Sequence, residues 1–235
     1  MKLEAAGVGK WYFRGKKDSN RFFAVQRTDL VLEPGQVTVL TGRSGSGKTT
    51  LMNMMAGMLT PDSGKVLADG QELYGMSDAV LSGFRNRNFG MIPQGANLLP
   101  ELTVMENFLL PRGIFKDRTG QSGGSSYEEV KEYAGKLLEQ MGILPLAGVF
   151  AKELSGGERR RACIARALAG KPEVVFADEP TSDLDDENMH AVLSLLRAAA
   201  DNGAAVMIVT HDIEAQDYAD VKIHMDGGRL ESRAD

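Results

Sequence analysis

The chain has few of the residues from which disulfides, protein-only metal sites and membrane spans are built. Its 235 residues include one cysteine, Cys163, and three histidines. A single cysteine excludes an internal disulfide and a multi-cysteine metal site, and it fits a reducing cytoplasm. No window holds the ~18 uncharged apolar residues of a membrane span, and the start has no apolar stretch of signal-peptide length. We therefore expect a cytoplasmic chain that does not itself cross a bilayer.

The chain also lacks an excess of positive charge. It carries 27 Lys+Arg against 32 Asp+Glu, a formal net charge of −5. Because nucleic-acid binding normally needs a basic face, we expect no nucleic-acid partner. Hydrophobic residues make up 43% and charged residues 25%, as in ordinary globular domains. The length suits one large domain, residues 1–235, with a sizeable core.

Short apolar runs alternate with helical patterns before residue 95 and after residue 170. These runs are apolar on both faces, which is typical of buried parallel strands, and they cover residues 36–41, 89–92, 173–177 and 204–210. Helices after several of them predict an α/β core with a parallel sheet. Residues 21–32 with the turn 33–35 predict antiparallel strands near the N-terminus, and residues 221–230 predict a hairpin.

The middle of the chain has helix-start signals instead. Thr103, Ser126 and Ser155 each precede a glutamate by three residues, which is the capping-box spacing. Gly142 and Gly170 are predicted to end helices. We therefore expect a helical subdomain at residues 95–168, inserted into a core made of residues 1–94 and 169–235. The Gly/Ser-rich patch at residues 119–126 predicts a surface loop.

A phosphate-binding loop is predicted after the first of the apolar runs. The segment Gly42-Arg-Ser-Gly-Ser-Gly-Lys-Thr49 fits G-x-x-x-x-G-K-[ST] between a predicted strand and a predicted helix, residues 49–58. Glycines let the backbone approach an anion, and the loop N–H groups then face the phosphates. Lys48 supplies a positive charge to the outer phosphates, and Thr49 offers a hydroxyl to Mg²⁺. The predicted nucleotide-binding residues here are Gly42, Arg43, Ser44, Gly45, Ser46, Gly47, Lys48, Thr49 and Thr50.

Two adjacent carboxylates, Asp178 and Glu179, end the predicted strand at 173–177. In open α/β sheets, ligands bind beyond the carboxyl ends of the strands. A strand next to the phosphate loop would place Asp178 near Mg²⁺ and Glu179 near the γ-phosphate. Phosphoryl transfer to water needs both charge neutralisation and a group that orients the water. The pair therefore predicts a metal ligand and a catalytic carboxylate.

With Leu154-Ser-Gly-Gly-Glu158, the chain resembles the ATP-binding subunit of ATP-binding-cassette (ABC) transporters from about Leu3 to Leu230. The resemblance implies a P-loop NTPase core of class α/β with a mixed, mainly parallel sheet, an antiparallel β-subdomain and an inserted helical subdomain. It implies ATP and Mg²⁺ as ligands.

The resemblance also assigns further roles. Tyr12 would stack on adenine, with Trp11 or Phe13 as alternatives. Gln94 would touch Mg²⁺ and the attacking water, and His211 would sense the γ-phosphate beside the catalytic Glu179. Asp185 would form a dimer contact, which Asp183 could alter because it replaces a small residue common in the family.

The segment Ser155, Gly156, Gly157 and Glu158 is a second predicted anion-binding helix start. The resemblance implies that it covers the ATP of a second cassette, which is either a copy of this chain or a homologous subunit. A head-to-tail pair with two-fold symmetry is the simplest arrangement. ATP would then hold the pair closed.

Residues 98–111 and 154–161 look like the macrolide- and lipoprotein-export subgroup of the family. We expect the ATP-hydrolysing motor of an exporter of peptides, lipoproteins or drugs. It would drive a separate integral membrane permease from the cytoplasmic face of the membrane, docked through exposed apolar residues at 94–102. An ATPase of a non-transporting membrane complex that controls cell-wall remodelling or cell division is the alternative. A soluble ABC ATPase in DNA repair or on ribosomes is a weaker one.

Other features receive structural interpretations. Arg159, Arg160 and Arg161 predict a solvated helix face, although one of them could pair with acids across a subunit interface. Cys163 predicts a small buried apolar position. The methionine cluster predicts packing of the first helix on the sheet, through Met52, Met54, Met55 and Met58.

Overall fold

The computed structural model describes residues 1–13, 21–95, 97–114, 127–182 and 184–232. Its strands are β1 (Leu3–Phe13), β2 (Arg21–Leu32), β3 (Val37–Thr41), β4 (Ser63–Ala68), β5 (Gln71–Glu72), β6 (Phe89–Ile92), β7 (Val174–Asp178), β8 (Ala205–Val209), β9 (Val221–Asp226) and β10 (Arg229–Ser232). Its α-helices are α1 (Lys48–Met55), α2 (Asp78–Asn88), α3 (Val104–Ile114), α4 (Tyr127–Gln140), α5 (Gly156–Leu168) and α6 (Asp186–Asp201). Strands occur at every position predicted from the sequence, although residues 21–32 form a single strand, and β1, β4 and β5 were not predicted.

The larger sheet has the order β10-β9-β3-β8-β7-β6 and is parallel except for the β9–β10 hairpin. Alternate residues of its strands enter two different cores. Val175 and Ala177 of β7 pack with α5 and α6, whereas Val174 and Phe176 pack toward α1 and the smaller sheet. Because both faces are covered, these strands are apolar throughout, as the sequence predicted.

The smaller sheet is antiparallel, with the order β2-β1-β4-β5. Its inner face shares a core with α1 and with one face of the larger sheet. The β9–β10 turn reaches this sheet, because the Gln26 N–H donates to the Gly228 carbonyl at 2.7 Å. The two sheets therefore enclose the N-terminal end of α1, where the phosphate loop lies.

Helices α3, α4 and α5 lie between β6 and β7 along the chain, as predicted. Two of the three predicted capping boxes are confirmed, at Thr103 with Glu106 and at Ser155 with Glu158. Ser126 and the Gly/Ser patch lie outside the described residues. The separate folding unit at 95–168 stays a prediction.

One local expectation was wrong. Met58 is 60% exposed and does not join the buried Met52, Met54 and Met55. The reason is that α1 ends at Met55, and Gly57 then turns the chain away with a left-handed φ of 67°. Helix α5 ends at Leu168, close to the predicted stop at Gly170, and Lys171 (φ 49°) is the left-handed residue that follows.

In the described part of the chain, every helix is too short or too polar to serve as a bilayer-crossing segment.

Candidate functional site

The phosphate loop is a tight turn between β3 and α1, and two of its glycines have no room for a side chain. Gly47 has a φ of 106°, and a Cβ there would collide with the Ala24 carbonyl of β2. A Cβ on Gly42 would collide with the Met225 carbonyl of β9. The Gly228 N–H in the β9–β10 turn donates to the Ser46 carbonyl at 3.0 Å. The loop is thus held between the two sheets.

Two polar side chains of this loop are buried. The Lys48 ammonium donates to the Gly42 carbonyl at 2.7 Å and to the Arg43 carbonyl at 3.1 Å. The Ser46 hydroxyl is buried without a hydrogen-bond partner among the described residues. An unpartnered buried hydroxyl in a loop of N–H donors fits a site that takes an anion.

Thr49 of α1 contacts Asp178 of β7, although β7 is not adjacent to β3, the strand that leads into the phosphate loop. The sequence argument placed the Asp178 strand next to the phosphate loop, but β8 lies between β3 and β7. The contact still forms, because the Thr49 hydroxyl at the start of α1 donates to the Asp178 carboxylate at 3.0 Å. Burial raises the pKa of Asp178, opposed by this hydrogen bond and by the charges of Lys48 and Arg160. A buried carboxylate beside a hydroxyl is a ligand pair suited to Mg²⁺.

Glu179 is held in an unusual backbone conformation just after β7. Its φ is 47°, in the left-handed region that L-residues seldom adopt. One carboxylate oxygen lies 3.0 Å from Nδ1 of His211 and accepts a hydrogen bond from the Thr210 hydroxyl at 3.1 Å. The imidazole of His211 is 76% exposed, while the Glu179 side chain is nearly buried. The carboxylate is therefore fixed and the histidine faces open space.

One cavity of about 910 Å³ collects these groups. It is lined by Tyr12, Phe22, Phe23, Ala24, Ser44, Gly45, Gly47, Lys48, Thr49, Thr50, Gln94, Asp178, Glu179, His211, Gly227 and Gly228. The lining includes Tyr12 and excludes the alternatives Trp11 and Phe13. Tyr12 pairs with Phe22 at a ring-centroid distance of 5.9 Å. The lining therefore combines aromatic rings with the polar groups of the phosphate loop and the carboxylates.

The Ser155–Glu158 segment does not line this cavity. Ser155 instead caps α5, where its hydroxyl accepts from the Glu158 N–H while the Glu158 carboxylate accepts from the Ser155 N–H at 2.8 Å. The Glu158 carboxylate accepts from the Ser155 hydroxyl at 2.7 Å and from the Ser155 N–H, and these two hydrogen bonds lower the pKa of Glu158. Asp185 likewise caps α6 by accepting from the Asn188 N–H, and this hydrogen bond lowers its pKa. Within one chain these predicted residues stay apart from the phosphate loop. Asp183 lies outside the described residues.

Sequence reasoning missed several residues around this site. Five of them line the cavity, although the strand and turn patterns in which they lie do not indicate a binding site: Phe22, Phe23, Ala24, Gly227 and Gly228. Thr210, which contacts Glu179, ends a predicted strand and precedes His211, so its position was a usable signal. The expectation of a solvated arginine face was wrong, because Arg160 is 5% exposed and its guanidinium donates to backbone carbonyls around Gln94 and Glu179.

Comparisons with known proteins agree with this geometry. The sequence model of the ABC transporter family matches residues 25–182. The lipoprotein-releasing system ATP-binding protein LolD of Syntrophotalea carbinolica is 36% identical over 229 residues, covering 97% of this chain and 96% of that protein. The protein of that name from Bordetella pertussis is 35% identical, with 97% and 95% covered. These relatives match the lipoprotein-export subgroup predicted from the sequence.

Solved structures agree as well. A dimeric ATP-binding cassette in a post-hydrolysis state, bound to ADP and Pi, superposes with a TM-score of 0.85 at 31% identity and 99% coverage of both chains. An ATP-binding subunit of an ABC transporter shares the fold at 22% identity with a TM-score of 0.80, covering 99% of this chain and 90% of the other. The chain therefore belongs to the ABC transporter family, in which it is an ATP-binding and ATP-hydrolysing cassette.

Proposed function

We propose that this cassette is the motor subunit of a lipoprotein-exporting complex, peripheral to the cytoplasmic face of the membrane. Two copies close around ATP, and their opening after hydrolysis drives a separate integral membrane permease. The observation that carries the proposal is the shared cavity in which the phosphate loop, the Thr49–Asp178 pair and the Glu179–His211 pair meet. The LolD relatives favour lipoproteins as the cargo.

The lining of the cavity suits both the base and the phosphates of a nucleoside triphosphate. Tyr12 and Phe22 offer ring faces for the base. The loop N–H groups, the N-terminus of α1 and the Lys48 ammonium suit the phosphates. Lys48 and Ser46 can also bind the phosphates. Among the described residues, the Lys48 ammonium donates only to neutral carbonyls, and the Ser46 hydroxyl has no hydrogen-bond partner. ATP binding would thus replace contacts within the loop.

Thr49, Asp178 and Gln94 would hold Mg²⁺, since each offers the oxygen ligand that this ion prefers. The bound ion would neutralise charge on the outer phosphate oxygens. Asp178 is buried beside the Thr49 hydroxyl, and its carboxylate would supply negative charge to the ion. Gln94 lines the same cavity and connects it to the helical segment.

Glu179 acts on the attacking water. One of its carboxylate oxygens is held by Thr210 and His211, which leaves the other to accept a hydrogen bond from water and orient it toward the γ-phosphorus. As the water oxygen bonds to phosphorus and the β–γ bridging bond breaks, the water proton passes toward Glu179 or a phosphate oxygen. His211, open to the cavity, is placed to contact the γ-phosphate and thereby distinguish ATP from ADP.

A second copy completes the site. The Ser155–Glu158 helix start, which is capped and exposed in one chain, offers N–H donors to the phosphates of another. Asp185 caps the start of α6. This helix start contacts α5, because the Arg161 guanidinium donates to the Asn188 side chain. A two-fold pair would bury two ATP molecules between the phosphate loops and the facing α5 starts. The dimeric cassette bound to ADP and Pi supports this arrangement.

The permease is proposed to dock beside the Gln94 segment. Leu99 and Phe150 are exposed apolar side chains there, and a β-bridge between Thr103 and Phe150 brings their segments together. Leu98, also in the predicted docking segment, is buried instead. The docking surface is therefore defined by Leu99 and Phe150.

Co-expression with candidate integral membrane subunits from the same genome tests the proposal. We expect the chain to co-purify from detergent-solubilised membranes and to support ATP-dependent release of a lipoprotein from proteoliposomes. The double variant Leu99→Asp/Phe150→Asp should lose co-purification while the isolated chain keeps its ATPase rate. Val80→Asp, at a similarly exposed apolar position, is the matched control. Absence of any membrane partner would refute the motor function, and co-purification without release would favour a non-transporting complex.

A further inference from the structure

We propose that Arg160 is a positioning residue for ATP hydrolysis, which fixes the backbone of Glu179 and Gln94 relative to helix α5. This inference rests on the proposed function, because it assigns those two residues to the reaction. It adds a residue that the motifs of the site do not include. Arg160 acts through its neighbours and does not line the cavity itself.

The contacts of the buried guanidinium carry the proposal. Nε donates to the Pro180 carbonyl at 3.3 Å, Nη1 to the carbonyls of Pro93 (2.5 Å) and Gln94 (3.0 Å), and Nη2 to those of Asp178 (3.3 Å) and Glu179 (2.5 Å). These five acceptors match the five N–H donors of an arginine. They belong to two segments, the loop after β6 and the end of β7. One side chain of α5 therefore ties both segments to its own helix.

Arginine is the residue type that can do this. Its planar fork presents donors in fixed directions, and hydrogen bonds from a charged donor are stronger than neutral ones. A lysine has three donors on one nitrogen and a glutamine has two, so neither can reach all five carbonyls. Because a buried charge is costly unless its hydrogen bonds are satisfied, the carbonyls are in turn held in place around Arg160.

The backbone of Glu179 needs such support. Its left-handed φ of 47° turns the main-chain carbonyl toward Arg160 while the carboxylate faces Thr210 and His211. The same carbonyl also accepts from the Ser182 hydroxyl at 2.9 Å. Strained backbone persists only where surrounding contacts determine it. The Ser182 N–H donates to this carbonyl as well, at 3.3 Å, so three donors hold it, and the arginine joins it to α5.

Arg160 connects the catalytic segments to the helix whose start is proposed to bind the ATP of a second copy. Helix α5 begins at the Ser155 turn that is proposed to bind the ATP of a second copy, and Arg160 lies in its second turn. A displacement of α5 on ATP binding would move the carbonyl groups beside Gln94 and Glu179 together. Hydrolysis would then depend on Arg160 more strongly than ATP binding does.

The test compares Arg160→Gln and Arg160→Lys with Arg166→Gln in the full chain. Arg166 lies on the same helix and donates to the Asn97 carbonyl, so its variant controls for lost charge on α5. We expect Arg160→Gln to lower kcat at least tenfold while KM and the calorimetric Kd for ATP change less than threefold. Arg160→Lys should recover part of kcat, and Arg166→Gln should behave like the unaltered protein.

A kcat within twofold of the unaltered protein for Arg160→Gln would overturn the proposal. So would a parallel loss of ATP binding, because that pattern indicates general misfolding. If Arg160→Gln is insoluble, Arg160→Lys carries the test, and a kcat below one third with unchanged Kd is the supporting result. Failure of membrane co-purification would refute the motor function and leave these soluble ATPase measurements unaffected.

Discussion

At the scale of single residues, the site depends on side chains that are held by their neighbours. Glu179 is bonded by Thr210 and His211, and Asp178 by Thr49. The two carboxylates follow each other in sequence but have different surroundings. Burial raises the pKa of Asp178, which suits a group that gains stability from a nearby cation. These different surroundings fit the separate roles proposed for the two adjacent acids.

The variant Glu179→Gln should retain ATP affinity and lose about 10²–10⁴-fold in turnover, because an amide keeps the shape but does not accept a proton. A dimer should accumulate in ATP, visible by size-exclusion chromatography, while phosphate release measures turnover. Glu72→Gln, which alters an exposed ion pair with Lys65, is the matched control. Normal turnover in Glu179→Gln would show that Glu179 does not act on the attacking water.

Lys48→Ala should weaken ATP binding, because the loop loses the positive charge that faces the phosphates. Titration calorimetry measures the change, with Lys65→Ala as a control for an exposed lysine of β4. An unchanged affinity would contradict the assignment of the phosphate loop.

At the scale of elements, the phosphate loop is shaped by the strands on either side of it. A Cβ added to Gly47 would meet Ala24 of β2, whereas a Cβ added to Gly45 would have no neighbour within 4 Å among the described residues. Both glycines have left-handed φ values, 106° and 78°. The pair therefore separates the cost of backbone strain from the cost of steric exclusion.

Gly45→Ala should lower the free energy of unfolding by roughly 1–2 kcal/mol, the cost of left-handed backbone. Gly47→Ala should cost about 1–3 kcal/mol more, because an added methyl group must displace β2. Urea denaturation without nucleotide measures both. Equal losses for the two variants would show that β2 does not confine the loop.

The end of α1 is held by Tyr74, whose hydroxyl lies 2.7 Å from the Met54 carbonyl and 2.6 Å from the Leu59 carbonyl. Burial raises the pKa of Tyr74 to about 12, against about 10 in an unfolded chain. The folded state therefore favours the protonated phenol. Its contribution to stability is complete below pH 10 and is lost as the pH rises from about 10 through about 12.

Tyr74→Phe should cost about 1 kcal/mol at neutral pH through the lost hydrogen bond. The stability difference between the two proteins should shrink between about pH 10 and 12, as measured by urea titrations at each pH. A stability difference that stays constant over this range would mean that folding does not raise the pKa of the Tyr74 phenol.

At the scale of the whole molecule, the two predicted phosphate-binding elements of one chain do not line a common cavity. The phosphate loop opens into the cavity, and the Ser155 turn does not line it. The only cysteine in the sequence, Cys163, is fully buried, so engineered thiols can report contacts between copies. The proposed dimer predicts that Ser44 of one copy approaches Ser155 of the other.

Ser44→Cys/Ser155→Cys in the Glu179→Gln background should form a disulfide-linked dimer in Mg-ATP and much less in ADP, because only ATP holds the pair closed. Non-reducing electrophoresis after mild oxidation measures it. Ser77→Cys/Ser155→Cys, with one thiol moved to the start of α2, is the control. Equal cross-linking in ATP and ADP would contradict closure around ATP.

The sequence alone determined the strands of the larger sheet, the phosphate loop and the capping boxes at Thr103 and Ser155. Each depends on local chemistry: two-sided apolar runs, glycines before Lys48, and a hydroxyl three residues before a glutamate. These signals are confined to a few neighbouring residues, so they can be read without knowing the fold.

Only the tertiary structure decided how these parts meet. The contact of Thr49 with Asp178 arises although β8 separates β3, which precedes the phosphate loop, from β7, because the start of α1 reaches the end of β7. Arg160 looked like one of three solvated arginines, yet it is buried among carbonyls from two distant segments. Main-chain acceptors have no sequence signature, and the energy of burying a charge is set by what surrounds it in space.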